Sequence, residues 1–134
     1  MKKKILLITT FLLLASACSS NNLKKINLEK LNEKLDNKDS FVLYLTNEDE
    51  TGITLKNTLT SVSKENDLKT FYINLEKLNE KELDELKKTF TFEDENIILF
   101  IKNGEETTVL SRVDDPYISF NKLENELENQ GFIK

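Results

Sequence analysis

Two unbroken runs of apolar β-formers, Phe41-Val42-Leu43-Tyr44-Leu45 and Ile97-Ile98-Leu99-Phe100-Ile101, interrupt a chain in which charged residues make up 32%. A strand with one wet face alternates apolar and polar residues, because successive side chains point to opposite sides. A run without alternation needs cover on both faces, which points to a central strand between two layers. In so polar a chain that cover has to come from amphipathic helices.

Spacing locates those helices. Leu28, Leu31 and Leu35 recur at helical period over Ile26 to Asp36, with Asn27 as N-cap and Ile26 and Leu31 placed as a hydrophobic staple. Leu55, Leu59 and Val62 return to the same period after the first apolar run, and Phe71-Tyr72-Ile73 predicts a second, shorter strand. Asn79 and Glu82 form a capping-box pair that opens a helix turning Leu83, Leu86 and Phe90 inward. Asn103-Gly104 is the strongest short hairpin signal, so Glu106 to Arg112 is expected to fold back as an edge strand. Phe120, Leu123 and Leu127 mark a last helix that stops near Gly131. This order of elements predicts an α/β fold, with helices on both faces of a four-stranded sheet.

The nonapeptide Ile-Asn-Leu-Glu-Lys-Leu-Asn-Glu-Lys occurs at Ile26 to Lys34 and again at Ile73 to Lys81. Its flanks differ. The first copy reads as helix throughout, whereas in the second Ile73 completes a strand and the helix starts at Asn79. Two copies of a low-complexity word in a chain rich in Lys, Glu, Asn and Leu do not require a duplication.

The N-terminus carries a different kind of signal. Lys2, Lys3 and Lys4 precede an apolar stretch from Ile5 to Leu14, and small residues lead to the only cysteine, Cys18. This is the layout of a secretory signal peptide, and the apolar stretch is shorter than the roughly 20 residues that cross a bilayer. Leu14-Ala15-Ser16-Ala17-Cys18 resembles a bacterial lipobox, in which the cysteine sulfur is lipidated and becomes the first mature residue. The lipobox usually has Leu, Ile or Val where this chain has Ala15, and Ala15-Ser16-Ala17 also fits ordinary A-x-A cleavage, which would release a soluble protein. Lipidation gives the unpaired cysteine a purpose that cleavage does not. The expected organisation is a signal peptide over 1–17, a lipidated cysteine and tether over 18–25, and a domain over 26–134. A catalytic thiol at Cys18 is disfavoured, since the chain has no histidine to act as its base.

The formal charge is -5, and removal of residues 1–17 takes away three lysines and no acid. An acidic mature chain excludes nucleic acid as a partner and leaves the lipid anchor as its link to the membrane. The absence of histidine also excludes a Ser-His-Asp triad and a histidine zinc site, and three glycines supply no phosphate-binding loop.

The predicted order of elements, together with Leu99-Phe100-Ile101-Lys102-Asn103-Gly104, resembles thioredoxin. The resemblance covers Ile26 to Ile133 and is strongest over Ser40 to Lys64, Thr70 to Lys88 and Asn96 to Gly104. It implies a mixed sheet with antiparallel hairpin strands. It also places the family's redox Cys-x-x-Cys on Glu50-Thr51-Gly52-Ile53 and its cis-proline on Asn96, so neither redox cysteine nor the proline is present. In the active family the helix N-terminus at this position lowers a thiol pKa. A carboxylate there enjoys the same field but cannot exchange a disulfide.

The resemblance further implies that three loops converge at one end of the sheet, carrying Glu48, Asp49 and Glu50, then Asp94 and Glu95, then Asp114 and Asp115, without an intervening Lys. These residues have two readings: solvated loop acids, or a site for a basic partner segment or a divalent cation, with oxygen ligands suited to calcium. Asn47-Glu48-Asp49-Glu50-Thr51-Gly52 echoes an EF-hand loop but has Thr58 where a bidentate Glu belongs. The expectation is a membrane-anchored, extracytoplasmic binding or accessory module, without enzymatic activity or cofactor, and with a basic protein or peptide partner. The alternative is a degenerate partner in an extracytoplasmic thiol-disulfide pathway.

Overall fold

The computed structural model describes residues 22–90, 92, 96–111 and 119–134. In chain order its elements are β1 (Leu23–Lys25), α1 (Leu28–Asp36), β2 (Phe41–Thr46), α2 (Glu50–Glu65), β3 (Thr70–Asn74), a 3-10 turn (Leu75–Lys77), α3 (Glu80–Thr89), β4 (Ile97–Lys102), β5 (Glu105–Ser111) and α4 (Phe120–Asn129). The strands form one sheet in the order β1-β3-β2-β4-β5. β1 and β2 both run parallel to β3, whereas β4 is antiparallel to β2 and β5 to β4.

The two apolar runs are the centre of this sheet. Phe41 pairs with Ile101, Leu43 with Leu99 and Leu45 with Ile97, and every residue of β2 is buried. Period two then divides the core between two faces. Phe41, Leu43 and Leu45 pack on one side with Leu31 of α1 and Leu86 of α3; Val42 and Tyr44 pack on the other with Leu55, Leu59 and Val62 of α2 and Leu123 and Leu127 of α4. Chain chirality explains the division. The crossover from β1 to β2 passes over β3, and the crossover from β2 to β3 returns in the opposite direction. Two right-handed crossovers in opposite directions place α1 and α2 on opposite faces.

The sheet has five strands, and the four-stranded expectation misses β1. Leu23–Lys25, expected in the tether, pairs with Thr70, Phe71 and Tyr72 of β3 and is extended by a bond from Ile26 N–H to the Tyr72 carbonyl at 3.0 Å. Only Leu23 of this strand is buried. Three residues without alternation gave no pattern to read.

The predicted caps are present. The Asn27 side chain accepts from Lys30 N–H, and Asn79 and Glu82 bond each other's backbone in a complete capping box. Asn103 and Gly104 have φ of 53° and 77°, as a two-residue type I′ turn requires, and the strand that folds back spans Glu105–Ser111. At the end of α4, Gly131 N–H bonds the Glu128 carbonyl and Phe132 N–H that of Leu127, a Schellman closure with Gly131 at φ 80°. Among the described residues no helix is long and apolar enough to cross a membrane.

Candidate functional site

The end of the sheet where β2 gives way to α2 is organised by Asn96, the residue before β4. Asn96 is fully buried at 0% exposure, with φ of 60°, the left-handed region that Asn tolerates better than most residues. Its Oδ1 accepts from Thr46 Oγ1 at 2.8 Å and from Asn47 N–H at 3.2 Å. Its Nδ2 donates to Asn47 Oδ1 at 3.1 Å and to Asp49 Oδ1 at 3.0 Å. The backbone N–H of Asn47 can only donate, so it fixes which way the amide faces. Tyr44 completes the corner: its hydroxyl lies 2.9 Å from the Gly52 carbonyl and 3.4 Å from Asn96 Oδ1, and the shorter contact takes the proton.

Gly52 fits this arrangement because it has no side chain. A Cβ there would stand 2.5 Å from Asn96 Oδ1 and 2.7 Å from Thr46 Oγ1. A glycine within a helix costs about 1 kcal/mol relative to alanine, so the close approach of Asn96 explains a residue that helix propensity disfavours. Among the described residues no buried side-chain polar atom lacks a hydrogen-bond partner.

The acidic residues are placed differently from one another. Asp49 caps α2, its Oδ1 accepting from Gly52 N–H at 2.7 Å as well as from Asn96. Asp49 is itself exposed, and one oxygen of its carboxylate ties the start of α2 to the corner. Glu48, at φ 57°, is exposed and pairs with Lys56 Nζ at 3.4 Å, while that ammonium also lies 4.1 Å from the ring centre of Tyr72. Lys56 thus stands beside the acids, correcting the expectation of an end without lysine. Glu50 is exposed in the first turn of α2, where the helix dipole favours a negative charge. Asp94, Glu95, Asp114 and Asp115 lie outside the described residues, as does Cys18. Among the described residues no group of three or more His, Cys, Asp or Glu could hold a metal ion. The EF-hand echo is a helix from Glu50 onward, which excludes a calcium loop.

Ile53 is a residue whose exposure the apolar pattern did not flag. It is 50% exposed, the exposed large hydrophobic among the described residues, and it sits in the first turns of α2 beside Glu50. The signal is present in the spacing: Ile53 lies two residues before Leu55 and so falls on the face of α2 opposite Leu55, Leu59 and Val62.

No family model and no curated protein sequence matches the chain. Solved structures do. One, described as "a putative oxidoreductase with a thioredoxin fold", aligns with a TM-score of 0.62 at 16% identity, over 78% of this chain and 92% of its own. The fold is thioredoxin-like. Oxidized thioredoxin O2 from Arabidopsis thaliana aligns with a TM-score of 0.61 at 14% identity, over 81% of this chain and 94% of its own. At such identities the likeness speaks to the scaffold alone. On this thioredoxin-like scaffold the chain has a single cysteine, at position 18, and so no Cys-x-x-Cys pair, and the described residues contain no cis peptide bond. Among the described residues the corner is a set of hydrogen bonds centred on Asn96 and tied to the Asp49 carboxylate, with Ile53 and the acids Glu48 and Glu50 exposed beside it.

Proposed function

We propose that this protein is a lipid-anchored, extracytoplasmic binding or accessory module that uses a thioredoxin-like scaffold without thiol chemistry. The observation that carries the reading is the pairing of Glu50 and Ile53 at the start of α2 with a corner sealed by Asn96. Disulfide exchange needs a thiolate attacking from this position, and neither residue can supply one. An exposed Ile53 one turn from the exposed Glu50 suits a partner segment that combines an apolar residue with a basic one. The signal-peptide pattern before Cys18 supports export, and two acyl chains on that cysteine are enough for stable membrane retention.

A second reading, a degenerate partner in a thiol-disulfide pathway, draws on the oxidoreductase names of the fold neighbours. One experiment serves both. Membranes bearing the full chain, or the chain with Ile53→Glu, are solubilised and probed by pull-down after metabolic labelling with palmitate. The first reading predicts label on wild type, its loss in Cys18→Ala, and a partner that Ile53→Glu no longer retains. Recovery of an oxidoreductase as the retained partner favours the second, and an unlabelled protein in the medium contradicts the anchor.

A further inference from the structure

The two ends of the sheet differ in their distance from the proposed attachment point. We propose that the anchored domain stands with its Glu48–Ile53 corner on the side away from the membrane, presented to partners that approach from outside; this rests on lipidation of Cys18. β1 starts at Leu23, level with Thr70 of β3 and Val42 of β2, and all three strands run the same way. Their N-terminal ends therefore share the edge of the sheet next to the tether. The corner lies at the other edge, where β2 ends at Thr46 and α2 begins.

Chain lengths turn this polarity into an orientation. From Cys18 to Leu23 the chain reaches at most about 18 Å when fully extended. The 16 residues of α2 span about 24 Å, and the helix runs from the corner back toward the tethered edge. Its C-terminal Glu65 therefore lies on the membrane side and its first turn on the far side. The tethered edge also holds the Asn103-Gly104 hairpin, fastened to the connection between α1 and β2 by a bond from Gly104 N–H to the Asp39 carbonyl at 2.9 Å. Exposed charges of both signs, Lys38, Lys64, Glu65, Asp67 and Lys69, surround this edge, so attachment rather than charge sets the orientation. Anionic headgroups would in addition repel the exposed Glu50 if the corner turned inward.

The test uses the full chain, purified with its anchor and placed in phosphatidylcholine–phosphatidylglycerol vesicles that contain a headgroup nitroxide quencher. Ile53→Cys and Glu65→Cys each provide one exposed site for a maleimide fluorophore, about 18 Å apart along α2, with Lys69→Cys as a second reporter on the membrane side. A lipidated Cys18 is a thioether and takes no label. Quenching at positions 65 and 69 at least about twice that at position 53 is the expected result. Equal quenching at all three, or more at 53, overturns the orientation while leaving the anchor intact. Maleimide uptake by the wild-type chain, with failure to float with the vesicles, removes the anchor and the orientation together. Unchanged melting of each labelled variant shows that quenching reports position and not unfolding.

Discussion

The strand pair β2 and β4 is held by apolar packing at its middle and by polar bonds at its end. Leu43 opposite Leu99 is fully buried against side chains alone, with α1 and α3 supplying the cover. A few residues further on, Thr46 and Asn96 are equally buried, yet the contact there is a set of directed hydrogen bonds reaching Asn47, Asp49 and Gly52. The middle is tolerant of shape and intolerant of charge. The end tolerates neither a missing partner nor an added methyl, because each buried donor and acceptor has a specific counterpart. Among the described residues the thioredoxin-like scaffold thus joins an apolar centre to a corner whose buried polar side chains all have hydrogen-bond partners.

The largest expected effect breaks the apolar half. Leu99→Asp puts an unpaired carboxylate between two covered faces, costing several kcal/mol against a total stability of about 5–15 kcal/mol; loss of the cooperative thermal transition by circular dichroism is the outcome to look for. Next comes the polar half. Asn96→Ala removes partners from Thr46, Asn47 and Asp49 and leaves alanine at positive φ, so denaturant titration should show a loss of about 2–4 kcal/mol. Asn96→Gly, which relieves the backbone but not the bonds, should recover part of it.

Gly52→Ala sharpens the comparison because propensity and packing disagree in sign. Alanine gains about 1 kcal/mol as a helix former, but its methyl meets Asn96 Oδ1 and Thr46 Oγ1 inside ordinary contact distance. Overpacking of this kind costs about 1–3 kcal/mol, and a lowered urea midpoint is predicted. Stabilisation would mean that Asn96 yields easily and the corner is not tightly closed. The smallest effect is expected on the rim: Glu50→Gln loses a favourable helix-end charge and should lower stability by no more than about 1 kcal/mol.

Much of the fold was readable because it rests on local chemistry. The apolar runs, the caps at Asn27 and Asn79 and the Asn103-Gly104 turn each carry their own short-range signal. The repeated nonapeptide shows where that legibility stops. The first copy begins at Ile26, just past the end of β1, whereas the second begins inside β3, where Ile73 and Asn74 still pair with Leu45 and Thr46 of β2; even so, Asn27 and Asn74 each cap a helical turn. The helix after Asn27 then continues, whereas the turn after Asn74 ends at Leu78 and a new helix is capped by Asn79. The residue just beyond the repeat separates them. Glu82 completes a capping box with Asn79, while the corresponding position after Asn32 is Leu35, which packs toward the core. Asn96 was readable as a departure from the thioredoxin pattern but not as a hub, since its partners are about 50 residues away in sequence and Asn is common throughout the chain. β1 was hidden for the same reason, its pairing being entirely non-local.

The proposed function holds that this thioredoxin-like scaffold carries out no disulfide exchange, and insulin reduction measures this most directly. The mature chain, beginning at Cys18, is incubated with insulin and dithiothreitol beside an active thioredoxin, and precipitation of the insulin B chain is followed by turbidity. The account predicts a time course superimposable on dithiothreitol alone. Acceleration above that baseline, abolished by Cys18→Ala, would contradict it and return the protein to thiol chemistry.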